Sequence, residues 1–110
     1  MLNIVMSRAA AGLLRVLLQR GGGERHRILL TEVRSVDWHS STLAGERHSI
    51  GLRIVGPTAS LTVAQFLSGI EDAEFVIPGQ ILADIAVCGT PERALDGSVT
   101  LELEALTIVE

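Results

Sequence analysis

The sequence predicts an α+β domain: a single, largely antiparallel sheet of about four strands packed by two helices, in the order α-β-β-α-β-β. Three observations predict it. Apolar residues recur at helical spacing in two stretches, and they alternate with polar ones at strand spacing in four. The chain is 47% hydrophobic but only 3% aromatic, so its core must be aliphatic. At 110 residues it is expected to be one domain, 1–110, able to hold a core without disulfides or metal.

The first helix is expected over residues 3–20. Met6, Ala9, Ala10, Leu13, Leu14, Leu17 and Leu18 share one face, and Arg8, Gly12, Arg15 and Gln19 the opposite one. Gly21, Gly22 and Gly23 stop it, because glycine accepts left-handed conformations without a Cβ clash. Residues 28–38 then read as a strand of imperfect alternation, with Ile28, Leu30, Glu32 and Arg34 on one side. His48, Ile50, Leu52 and Ile54 form a clearer apolar face, and the polar loop 40–45 makes the two strands an antiparallel hairpin.

Gly56 and Pro57 break the second strand, and Thr58 or Ser60 can cap a second helix. On it Leu61, Ala64, Leu67 and Ile70 follow at three-residue spacing, joined by Val63 and Phe66. Glu71 and Asp72 fall where the helix dipole disfavours acids, so the helix frays there. Pro78-Gly79 marks a type II turn, with Pro second and Gly third. Strands at 81–88 and 99–104 follow, joined by a loop over 89–97. The switch of apolar side after Ala105, to Leu106 and Ile108, predicts a bulge in the last strand or a strand leaving its sheet.

Charge and composition exclude several functions. A net charge of −4 with no basic run argues against free binding to nucleic acid. Every cation other than histidine is Arg, which suits subunit contacts through its planar fork. The one cysteine, Cys88, allows neither an intrachain disulfide nor a cysteine metal cluster. Arg8, Arg15 and Arg20 interrupt the first apolar stretch, and the uncharged run 54–70 is broken by Gly56 and Pro57. The expectation is therefore an intracellular protein with no membrane partner. A mean hydropathy of +0.40 is high for so small a domain, so part of the aliphatic surface is expected to face another subunit.

Chemistry concentrates in 37–48, DWHSSTLAGERH. Asp37 and His39 are two apart, as are Glu46 and His48, so each pair shares a strand face. A hairpin register that set the pairs opposite one another would converge four potential zinc ligands. The plainer reading is a charged, half-exposed hairpin end. Cys88 lies among apolar residues with no adjacent cation, as a structural thiol does. Trp38, the one tryptophan, is either a core plug or an interface anchor.

The ordered segments resemble the small tail-completion, or tail-terminator, proteins of long-tailed phages and the related gene transfer agents. The resemblance covers residues 8–109. It rests on the Leu/Ala-rich first helix, a strand ending Asp37-Trp38, Gly45-Glu46-Arg47-His48, the break at Gly56-Pro57, the turn at Pro78-Gly79, and Asp96-Gly97 before a closing Leu103-Glu104-Ala105-Leu106-Thr107. Relatives carry a longer segment between first helix and first strand, where this chain has only residues 21–27.

The resemblance implies a structural protein and not an enzyme, with no catalytic residues, metal or cofactor. It implies a ring, commonly of six subunits, that caps the tail tube and meets the head-tail connector. The ring is made in the bacterial cytoplasm and then sits in the tail, with DNA passing through it without specific binding. Partners are then the chain itself, the tail-tube protein and the connector protein. The positions that match the family's recurrent ones, Asp37, Trp38, Gly45, Glu46 and His48, look structural. Trp38, His39, Glu46 and Arg47 are the candidate subunit interface. Two rival readings are a small metal-dependent or acid-base enzyme using Asp37, His39, Glu46 and His48, and a dimeric accessory binding module.

Overall fold

Ser7 starts the first helix. Its backbone is extended and its hydroxyl accepts the Ala10 N–H at 3.1 Å, which satisfies one of the donors a helix start leaves open. In the computed structural model, which describes residues 5–110, helix α1 therefore spans Arg8–Arg20, and residues 5–7, expected inside it, precede it. Residues 1–4 lie outside the described residues. Ala9, Ala10, Gly12, Leu13, Val16 and Leu17 are buried, whereas Leu14 and Leu18 are only half-buried. Gly12, expected on the polar face, is covered because Ile77 crosses the helix there. The Ile77 Cγ2 atom lies 2.8 Å from where a Cβ would stand. The glycine run does not simply stop the chain: Gly21 stays right-handed and leads into a 3₁₀ turn, Gly22–Arg27.

Strands β1 (Ile28–His39), β2 (Ala44–Ile54), β3 (Gln80–Arg93) and β4 (Val99–Val109) form one antiparallel sheet in the order β1-β2-β4-β3. β2 and β4 are central, and β1 and β3 are edges. A bulge at Thr31 lets two β1 residues stand against one of β2. Side chains therefore change face there, so Ile28 and Leu30 share a side with Val33 and Ser35, not with Glu32 and Arg34. This is why the alternation of that strand is imperfect. β4 pairs with β2 without interruption from Val99 to Ile108. The bulge expected after Ala105 lies instead in β3, around Ala83. β3 also continues to Arg93, across residues expected as loop, with a second irregularity between Cys88 and Glu92.

Helix α2 spans Ala59–Leu67 and buries Ala59, Thr62, Val63 and Phe66. The expected stripe was displaced: Leu61 is 58% exposed and Ala64 is exposed too. Neither Thr58 nor Ser60 caps the helix through its side chain. Ser68, whose backbone is extended, ends it, and after left-handed Gly69, at φ 68°, a separate 3₁₀ turn, Ile70–Asp72, buries Ile70. Arg20 closes this end from outside. Its Nε donates to the Phe66 carbonyl at 2.6 Å and a terminal nitrogen donates to the Ser68 carbonyl. After Pro78-Gly79 the Gln80 N–H donates to the Ile77 carbonyl at 3.0 Å, with Gly79 at φ 75°, as a type II turn requires.

The core joins both helices to one sheet face, built from Ile28, Ile50, Leu52, Ile54, Leu101, Leu103 and their neighbours. The cluster includes no residue from the opposite, outer face. No helix among the described residues is long and apolar enough to cross a membrane.

Candidate functional site

The hairpin turn decides what the acid and histidine residues can do. Ser40 donates its N–H to the Leu43 carbonyl at 2.9 Å, and its hydroxyl accepts the Leu43 N–H at 3.1 Å. The loop is thus four residues, 40–43, and β2 begins at Ala44, so Gly45, Glu46 and Arg47 belong to the strand. His39 pairs with Ala44, Asp37 with Glu46, and Ser35 with His48. A six-residue loop would have set each acid opposite a histidine. The shorter one sets carboxylate opposite carboxylate, an unfavourable cross-strand neighbour. Among the described residues no group of three or more His, Cys, Asp or Glu side chains is placed to share an ion.

His48 is the centre of what does form. It lies fully buried on the core face, in the middle of the sheet. Nδ1 is 2.7 Å from the Ser35 hydroxyl of β1, and Nε2 is 2.9 Å from the Thr107 hydroxyl of β4. Three strands are thereby laced through one imidazole. Neutral imidazole has one donor and one acceptor nitrogen, and a hydroxyl can play either part, so both tautomers are satisfied. Burial holds the His48 pKa below the ordinary histidine value, and neighbouring Glu46 opposes that only in part. His48 is neutral at pH 7.

This arrangement does not make a nucleophile of Ser35. The second nitrogen faces buried Thr107, not a carboxylate that could hold the positive charge of a proton-accepting imidazole. Cys88 is no better placed. Burial raises its pKa, and Glu104 and Glu102 raise it further, so the thiolate is disfavoured.

The four candidate interface residues fall on two faces. Glu46 lies on the core side with His48, and the pairing puts His39 on that side too. Trp38 and Arg47 lie on the outer face, where Trp38, Gly45, Ile108 and Ile81 form one row across the four strands. Gly45 has no alternative residue, because a Cβ would strike the Thr107 carbonyl oxygen. Val36 and Ile81 are about half exposed on this face, at 53% and 51%. At the far end, Asp96 anchors the 94–98 loop. The Ser98 hydroxyl and N–H both donate to it, and Arg53 reaches it at 2.7 Å. The Ser98 bonds, helped by Arg53, hold the Asp96 carboxyl below its usual range.

Ser35 and Thr107 were the residues that sequence reasoning missed. The Ser35 partnership follows from the loop length alone, since 39 against 44 brings 35 against 48. Thr107 required knowing that β4 inserts beside β2, which no local pattern announces.

No protein-family model matches the chain, and no curated protein matches it significantly.

Proposed function

We propose that the protein is a structural assembly subunit that caps the tail tube of a phage, prophage or gene transfer agent particle. It does so as a ring and joins the tube to the head connector. The observation that carries this reading is the sheet with two unlike open edges. Among the described residues, β1 and β3 each pair with a strand on one side only. A ring needs two different surfaces that meet head to tail, and the free ladders of two edge strands supply such a pair. β3 offers its ladder up to Thr90, since Pro91 has no N–H to give.

The resemblance in segment order adds to this, as does a centre of hydroxyls and imidazole that locks strands together and leaves no reactive group poised. The acidic balance of the chain suits a channel through which DNA passes, because it neutralises no phosphates. The hairpin tip, with Leu43 49% exposed beyond Trp38, is the part free to meet the tube or the connector.

The test is made in particles. Without the protein, tails of uncontrolled length that fail to join heads are expected by electron microscopy, and the added protein should appear as a ring at one tube end. Normal tails joined to heads in its absence would refute the reading.

A further inference from the structure

The outer face of the sheet has no second layer among the described residues, and it is divided in two directions. Across the strands, the β1–β2 half carries Arg34, Arg47 and Arg53, offset on the face by Glu32 and, at Arg53, by Asp96 of the 94–98 loop. The β4–β3 half carries Asp84, Glu92, Glu102 and Glu104 and no cation. Along the strands, most of the large apolar side chains gather at the hairpin end, in Val36, Trp38, Ile81, Leu106 and the buried Ile108, with Leu29 at the other end. Arg53 is engaged by Asp96, and Arg34 makes only a solvent-exposed pair with Glu32 at 3.2 Å. Arg47 and the four carboxylates make no ion pair among the described residues.

We propose that a second copy of this chain docks on this face, sheet against sheet, about a two-fold axis parallel to the strands. That axis exchanges left and right halves while keeping each level along the strands. It lays the basic half of each copy on the acidic half of the other, and the Trp38 end on the Trp38 end. An in-plane axis across the strands would set basic on basic and separate the two apolar ends. Charge and apolar pattern therefore select the same axis.

The area is sufficient. Four strands about 4.8 Å apart, each with about ten residues rising about 3.4 Å, give a face of roughly 650 Å² per copy. Two such faces come to roughly 1,300 Å², within the range of specific interfaces. Pairing through the face leaves both strand edges free, so this contact is separate from ring closure.

The test is sedimentation equilibrium of the full chain with two double variants, Arg34→Glu/Arg47→Glu and Glu102→Arg/Glu104→Arg. All four side chains point to solvent, and circular dichroism checks their folding. Wild type should sediment at twice its 11.7 kDa mass. Its dissociation constant should rise tenfold or more in about 1 M salt, which screens charges beyond about 3 Å. Trp38 emission should shift to longer wavelength as dilution separates the pair. Each variant alone should be monomeric, and an equimolar mixture should recover the dimer, because one face then carries a large excess of acids and the other an excess of arginines.

A monomeric wild type at about 100 µM would overturn the proposal, as would a dimer that both variants retain, or a mixture that stays monomeric. A larger species that the variants disperse would show the face used head to tail, and would overturn the two-fold arrangement. Joining of tails to heads, scored separately with the same variants, bears only on the ring reading.

Discussion

The two faces of the sheet come from the same strands yet obey different rules. On the core face, Ile50, Leu52, Leu101 and Leu103 are almost completely buried beneath two helices, and His48, fully buried there, has a partner for each nitrogen. On the outer face, arginines and carboxylates stand around a small apolar end, with no second layer above them among the described residues. The difference teaches where each kind of residue gets its energy. Core-face side chains act through burial and complete hydrogen bonding, whereas outer-face side chains act only when another molecule arrives.

The largest effect should come from putting charge beneath the helix. Leu13 is fully buried and Leu14 only half-buried. Leu13→Asp should abolish cooperative unfolding in urea, while Leu14→Asp should leave a folded, weakened protein. Loss of the fold in both would mean that α1 buries a wider stripe. Next in size, Leu103→Ala on the core face should cost about 2–5 kcal/mol by removing packed methyl groups and leaving a cavity. Val36→Ala, at a half-exposed outer position, should cost less than about 1 kcal/mol. Similar denaturation midpoints for those two variants would erase the distinction between faces.

Acid should act through His48. Its folded pKa is depressed, so between that value and the unfolded value, about 6.5, the unfolded chain binds more protons. The stabilisation is present in full above about pH 6.5 and is lost as pH falls towards the folded pKa. His48→Leu should lose about 1–3 kcal/mol at pH 7, because the Thr107 and Ser35 hydroxyls are left without partners. The variant should also lack the decline in stability that begins as pH falls below about 6.5, measured by urea titration at successively lower pH. A wild-type slope that survives the substitution would assign the decline to other groups. The smallest effect is expected at Arg34. Its pair with Glu32 is exposed, so Arg34→Gln should shift the stability of the dilute chain by less than about 1 kcal/mol.

Much of this was legible in the residues. Strict alternation in residues 48–54 marked a strand with one apolar face, and that face lies on the core. Pro78-Gly79 marked a turn that closes as its chemistry demands. What escaped depended on distant neighbours. Leu61, Ala64 and Leu67 lie at good helical spacing, but only the position of α2 over β2 and β4 decides that Val63 and Phe66 point inward. Gly12 reads as surface until Ile77, sixty-five positions later, crosses it. The Thr31 bulge reverses every assignment after it in β1, and no turn residue announces it. The loop is two residues shorter than the polar stretch suggested, so Asp37 stands against Glu46 and His48 against Ser35 instead of each acid against a histidine.

The strand order has a consequence for how the chain is made. β4, the last of the four strands to leave the ribosome, lies in the middle of the sheet. Until it emerges, the β1–β2 hairpin exposes the β2 ladder and the His48 imidazole without its Thr107 partner, and β3 has nothing to pair with. Formation of the sheet therefore waits on contacts between distant parts of the chain, which makes folding slow for a domain of this size. During that interval the nascent protein presents strand edges that the finished fold conceals, so a shortage of chaperone should lower its yield far more than its final stability suggests.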